Sequence, residues 1–133
     1  MRRAAFAQVA SPSLRVFSLR QAHPDPAQLR RSLNTAVGEE AAITQALPWA
    51  LEVLPAGVNK ATAARLLLER WGIAREEAMA IGDGENDAEL LSYVGLGVAM
   101  GNGAPAAKVA ANYEVASNWE DGFSEAMDRF VLR

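Results

Sequence analysis

Ala78-Met79-Ala80-Ile81-Gly82-Asp83-Gly84-Glu85-Asn86-Asp87-Ala88-Glu89-Leu90-Leu91 decides the fold. Four apolar residues run into a Gly-Asp-Gly turn, and Asn86-Asp87 then open an apolar-periodic segment. The pattern predicts a buried strand over 78–81, a tight acidic turn and a helix to about Val94, closed by Gly95. A strand that is apolar without alternation belongs in a parallel sheet covered on both faces. Glycines at 82 and 84 let the chain bend tightly. Asp83 and Asp87 then lie at the carboxyl end of a strand, where open α/β sheets place their ligands. Two readings stand at this point. The acids hold a cation, or they are turn residues favoured by a helix N-terminus.

The segments around this stretch repeat its logic. Downstream, Leu96–Met100 reads as a second buried strand, Gly101-Asn102-Gly103 as a turn and Pro105–Ala111 as a helix. Tyr113–Val115 reads as a third short strand. Asp121-Gly122 starts a last helix with Phe123, Ala126, Met127, Phe130 and Val131 on one face. Upstream, Asn59 caps a helix with Ala64, Leu67, Leu68 and Trp71 on one face, ending at Gly72. From Asn59 the order is α-β-α-β-α-β-α, which predicts a parallel sheet with helices on both faces. Three strands make a narrow sheet. Either a partner chain supplies the missing core strands or part of the domain is missing. Before Asn59, Ser13–Leu19 alternates as a half-buried strand. Asp25-Pro26 starts a helix running to Gly38. Ala41–Trp49 and Ala50–Leu54 read as strands broken at Pro48.

Composition narrows the chemistry. The chain has 133 residues, enough for one domain or a piece of a larger one. A net charge of −3 without a basic run gives no reason to expect nucleic acid. With no cysteine, thiolate chemistry and Cys-based metal sites are excluded, and with one histidine, His23, a His-rich site is nearly so, leaving a hard, oxygen-ligated cation. No apolar run approaches the ~20 residues that span a bilayer, so no membrane partner is expected. A cytoplasmic location is expected, with an organellar one as the alternative: six arginines precede residue 32 against one acid, Asp25, as in transit peptides.

Two carboxylates, waters and a substrate phosphate make a normal Mg²⁺ site, so Asp83 and Asp87 are the candidate metal ligands. Lys60 stands in the first turn of its helix, where a cation opposes the macrodipole and does nothing for helix stability. A lysine there can act as a point charge on phosphate, or simply be solvated. Asn102 follows the second strand and reaches the same edge, as site residue or as turn former. Trp49, Trp71 and Trp119 are read as packing residues and His23 as exposed.

Taken together, Leu51–Lys60, Ala80–Asp87, Gly97–Asn102 and Ser117–Gly122 resemble, in order and spacing, the haloacid dehalogenase superfamily, nearest to its Cof-type phosphatases. The resemblance implies an incomplete Rossmann-like α/β core over 55–133. It makes 14–54 the C-terminal remnant of an α/β cap, with 1–13 a lead without fixed structure. It implies a Mg²⁺-dependent hydrolysis of small phosphate monoesters, such as sugar phosphates, through an aspartyl-phosphate. Lys60 then steadies nucleophile and phosphate, Asp83 and Asp87 hold Mg²⁺, Asn86 contacts the phosphoryl group and Asn102 lies near it. The partner is a small phosphorylated metabolite. One element of the family pattern is absent: no Asp-x-Asp-x-Thr nucleophile motif occurs. The chain therefore reads as a truncated or inactive form. The alternative is a non-catalytic module that binds Mg²⁺ or phosphate and associates with a partner chain.

Overall fold

The computed structural model describes residues 7–8, 15–20, 25–47 and 50–132. The chain divides into two compact units, 1–58 and 59–133. The readings of His23, Pro48 and Trp49 lie outside the described residues.

The first unit is an antiparallel sheet carrying one helix. Strands β1 (Ala7–Gln8), β2 (Arg15–Arg20), β3 (Ala41–Leu47) and β4 (Ala50–Pro55) line up in the order β1-β2-β4-β3. The short β1 lies within the stretch read as a lead and pairs with β2. Helix α1 (Pro26–Val37) starts where its signals predict. The Asp25 carboxylate accepts the Gln28 amide at 2.9 Å, and Pro26 fills a first-turn position that needs no N–H. Gly38 ends it at φ 55°. The helix packs on β3, where the Arg30 guanidinium donates to the Ile43 carbonyl at 3.0 Å. Among the described residues, Ile43, Ala50 and Leu51 are this unit's buried apolar ones.

The second unit is α/β with a parallel sheet. Helix α2 (Lys60–Trp71) precedes β5 (Met79–Gly82), α3 (Ala88–Tyr93), β6 (Leu96–Ala99), α4 (Pro105–Ala110), β7 (Tyr113–Glu114) and α5 (Gly122–Phe130). The strand order is β5-β6-β7, all parallel, with Ile81 opposite Val98 and Val98 opposite Tyr113. The central strand β6 is buried on both faces, as its unbroken apolar character requires, while β5 is half-buried and β7 exposed. On one face Val98, Met100 and Val115 pack with Ala126 and Phe130 of α5. On the other, Ala99 packs with Leu91 of α3 and Ala107 of α4.

Two expectations about packing fail. Helix α2 packs on α3 but has no fully buried residue: of the predicted face Ala64 and Leu68 are half-buried, while Leu67 and Trp71 lie 47% and 63% exposed. Trp119 is 87% exposed and Phe123 of α5 is also exposed, so neither is a packing residue. An apolar periodicity identifies the side of a helix that prefers cover; it does not guarantee that cover exists.

Candidate active site

Every candidate residue falls within 59–133, and the local sequence explains how each is held. Asn59 closes a capping box: its side chain accepts the Thr62 amide at 2.8 Å, and its own amide donates to the Thr62 hydroxyl at 2.8 Å. This fixes the first turn of α2 and with it Lys60, the first helical residue. Strand β5 ends at Gly82, the chain turns through Asp83-Gly84, and a 3-10 turn over Glu85–Asp87 leads into α3.

Asp87 is the buried charge of the unit, 7% exposed. One carboxylate oxygen accepts the amides of Asp83 (3.0 Å) and Gly84 (2.9 Å). The other accepts the Lys60 ammonium. A buried carboxylate is tolerable when its charge is paired and its oxygens are hydrogen-bonded, and Asp87 meets both conditions. Its side chain thereby folds the Asp83–Gly84 turn around itself and ties that turn to α2. Gly82 is required by the same arrangement, since a Cβ there would stand 2.6 Å from Asp87 Cβ. Sequence reasoning valued Gly82 for its backbone freedom; its role is the space it leaves.

Asp83 is in the opposite state, exposed at the carboxyl end of β5. Its main-chain carbonyl accepts the Ala104 amide at 2.7 Å, which joins the turn after β5 to the turn after β6. Asn102 sits in that second turn. Its side-chain oxygen accepts the Asn118 amide at 2.8 Å, so the residue clamps two loops. Lys108 of α4, which sequence reasoning passed over, donates to the Gly101 carbonyl at 2.6 Å and to Glu114 at 2.8 Å. Asn86 lies half-buried in the 3-10 turn. In the adjoining loop the Ser117 hydroxyl donates to the Glu120 carboxylate at 2.6 Å and holds it below its ordinary pKa.

The structure thus joins Lys60 to Asp87 directly, sets Asp83 and Asn86 on the same loop, and links the Asn102 turn to Asp83 through the backbone. Among the described residues no group of three or more His, Asp or Glu side chains forms a cage. Asp83 offers the accessible carboxylate. Half-exposed Lys60 keeps further N–H donors for an anion beside it. Among the described residues no helix is long and apolar enough to cross a membrane.

Comparison with known proteins agrees with this layout. The family model of haloacid dehalogenase-like hydrolases matches residues 6–127. The chain is 40% identical over 104 residues to the chloroplastic endoribonuclease YBEY of Arabidopsis thaliana, covering 78% of this chain and 18% of that protein. It is 41% identical over 86 residues to the 5-amino-6-(5-phospho-D-ribitylamino)uracil phosphatase YitU of Bacillus subtilis, covering 64% and 32%. The solved subclass IIB sugar phosphatase BT4131 superposes with a TM-score of 0.78 at 28% identity, over 89% of this chain and 44% of that one. The chain spans a third or less of these two curated relatives and under half of the solved one. The family match extends over most of the chain, and the parallel α/β unit superposes on a solved member, so the chain belongs to the haloacid dehalogenase-like hydrolases, of the Cof type.

Proposed function

We propose that the chain carries the cation- and phosphate-holding part of a phosphatase acting on small phosphate monoesters. The carrying observation is the division of labour at the end of β5: Asp87 is tied down by Lys60 and two amides, and Asp83 stays exposed. In this reading Asp83 holds Mg²⁺, with Asp87 behind it setting the turn. Bound Mg²⁺ would neutralise charge on the phosphoryl oxygens. Lys60 adds a cation from the α2 side, and Asn86 and Asn102 line the phosphate. The phosphatase names of the Bacillus relative and of the solved sugar phosphatase support a small phosphorylated metabolite as substrate.

A phosphoryl group leaving through an aspartyl-phosphate needs a nucleophilic carboxylate, and the residues named here stabilise charge around one. No Asp-x-Asp-x-Thr occurs in the sequence. The purified chain should therefore bind Mg²⁺ and hydrolyse a generic aryl phosphate no faster than the buffer blank. Calorimetric Mg²⁺ binding lost in Asp83→Asn, together with absent turnover, supports the reading. Robust hydrolysis abolished by Asp83→Asn would show that the chain contains its own nucleophile.

The exposed Leu66, Leu67 and Trp71 of α2 favour a second reading alongside the first, in which the chain works as a module on a partner. Four of the six early arginines lie in β2 and α1, so the chloroplastic name of the Arabidopsis relative is what keeps an organellar setting as the alternative to the cytoplasm, which subcellular fractionation decides.

A further inference from the structure

We infer that Lys108 of α4 is a positioning residue for the anion side of the proposed site. It fixes the Gly101–Asn102 peptide, so that the Asn102 side chain meets a phosphate as a hydrogen-bond donor. The inference rests on the proposed phosphatase reading and adds a residue and a donor group to it.

Lys108 stands in the last turn of α4, where a cation ordinarily favours the helix dipole. Its side chain does something else. It runs back along the helix, as helical side chains lean toward the N-terminus, and donates to the Gly101 carbonyl at 2.6 Å, ahead of the first turn. The Glu114 carboxylate of β7 accepts a second N–H of the same ammonium at 2.8 Å. A Lys–Glu pair at the surface contributes little stability by itself. Here it holds the ammonium over the turn. The backbone of Lys108 is fixed too, because its neighbour Ala107 is fully buried with Leu91 and Ala99.

The Gly101–Asn102 peptide has little freedom. The Gly101 amide donates to the Ala116 carbonyl at 3.1 Å, and a Cβ on Gly101 would stand 2.9 Å from the Ser117 nitrogen and the Val115 oxygen. On either side of it, the Met100 and Ala104 amides donate to the Gly82 (3.0 Å) and Asp83 (2.7 Å) carbonyls. A trans peptide is planar, so a grip on its carbonyl also sets the direction in which Asn102 leaves the turn. The Asn102 carboxamide is then oriented by chemistry. The Asn118 main-chain N–H can only donate, so the atom facing it at 2.8 Å is Oδ1. The amide nitrogen, Nδ2, has no acceptor among the described residues. Asn102 therefore offers two N–H donors, which suit a phosphate oxygen and not a metal ion.

The test follows the Asn102 carboxamide by NMR in the nitrogen-labelled 133-residue chain, with Asn102→Ala identifying the signal. Inorganic phosphate added with Mg²⁺ should shift it. Lys108→Met should weaken phosphate binding by roughly tenfold, the size of a lost charge-assisted hydrogen bond, and leave Mg²⁺ affinity unchanged. Lys108→Arg, which keeps the charge and the donors, should retain most of the binding. In the Asn102→Ala background Lys108→Met should have no further effect, because Lys108 acts through Asn102. An equal further loss there would make Lys108 a distant charge and overturn the proposal. A lower melting temperature in Lys108→Met, with the Asn102 signal and phosphate affinity unmoved, would overturn it by leaving the lysine a stability residue only. If phosphate shifts nothing in the unaltered chain, the phosphatase reading falls. The positioning is then decided in the phosphate-free chain, where Lys108→Met should shift and broaden the Asn102 carboxamide signal. An unchanged signal there overturns it.

Discussion

Asp83 and Asp87 stand four residues apart on one turn, and the fold gives their carboxylates opposite surroundings. Asp87 is buried under two amides and an ammonium; Asp83 faces outward. Asp87→Asn keeps the shape but removes the charge that Lys60 pairs with and turns one oxygen into a donor facing donors. It should cost about 1–3 kcal/mol of stability, below the full value for a buried pair because Lys60 is half-exposed. Asp83→Asn should stay within about 0.5 kcal/mol, as exposed substitutions do. Thermal melts of the two variants without Mg²⁺ decide this, and equal losses would contradict the assignment. Glu120 gives a residue-scale prediction in pH. The Ser117 hydroxyl lowers its folded pKa, so its contribution to the loop is present above the unfolded value and is lost as pH falls through the lowered one. In Ser117→Ala the Glu120 carboxyl should titrate higher, toward its ordinary value, followed by carbon-detected NMR.

At the scale of elements, the chain was legible wherever the signal is local. Asp25-Pro26 and Asn59 start helices where they predict, because a cap and its amides lie three residues apart. Asn59→Ala should cost about 1 kcal/mol and should also loosen Lys60, the next residue, seen as a weaker Lys60–Asp87 coupling in a double-mutant cycle. The parallel sheet was legible from β5 and β6, whose unbroken apolar runs need cover on both faces. What stayed illegible is tertiary. Lys60 and Asp87 are 27 residues apart, and nothing in either stretch says that they meet. An acid beside a helix start reads equally as a metal ligand or as a turn former, and the bonds of Asp87 to Lys60 and two amides are not written in either stretch. Leu67, Trp71 and Phe123 carry the right periodicity for burial, but whether another element covers them depends on neighbours that periodicity does not record.

At the scale of the molecule, stability should be held in two separate accounts of packing. The 1–58 unit buries Ile43, Ala50 and Leu51, and the 59–133 unit buries Leu91, Val98, Ala99 and Ala126 in its own clusters. Compact units with their own cores unfold on their own unless a large apolar interface couples them. Leu51 and Leu91, each 1% exposed, are the probes. Truncating a buried leucine to alanine costs about 2–5 kcal/mol, by lost burial and by the cavity left behind. Leu51→Ala should therefore strip hydrogen-exchange protection from β2, β3, β4 and α1 while leaving amides of Asp83 and Gly84 protected by Asp87. Leu91→Ala should do the reverse, because α3 anchors both the 3-10 turn that carries Asp87 and the sheet beneath it. Loss of protection in both units from either substitution would mean that the chain unfolds as one cooperative body. Loss confined to one unit would mean that the Lys60–Asp87–Asp83 arrangement is set within 59–133 alone.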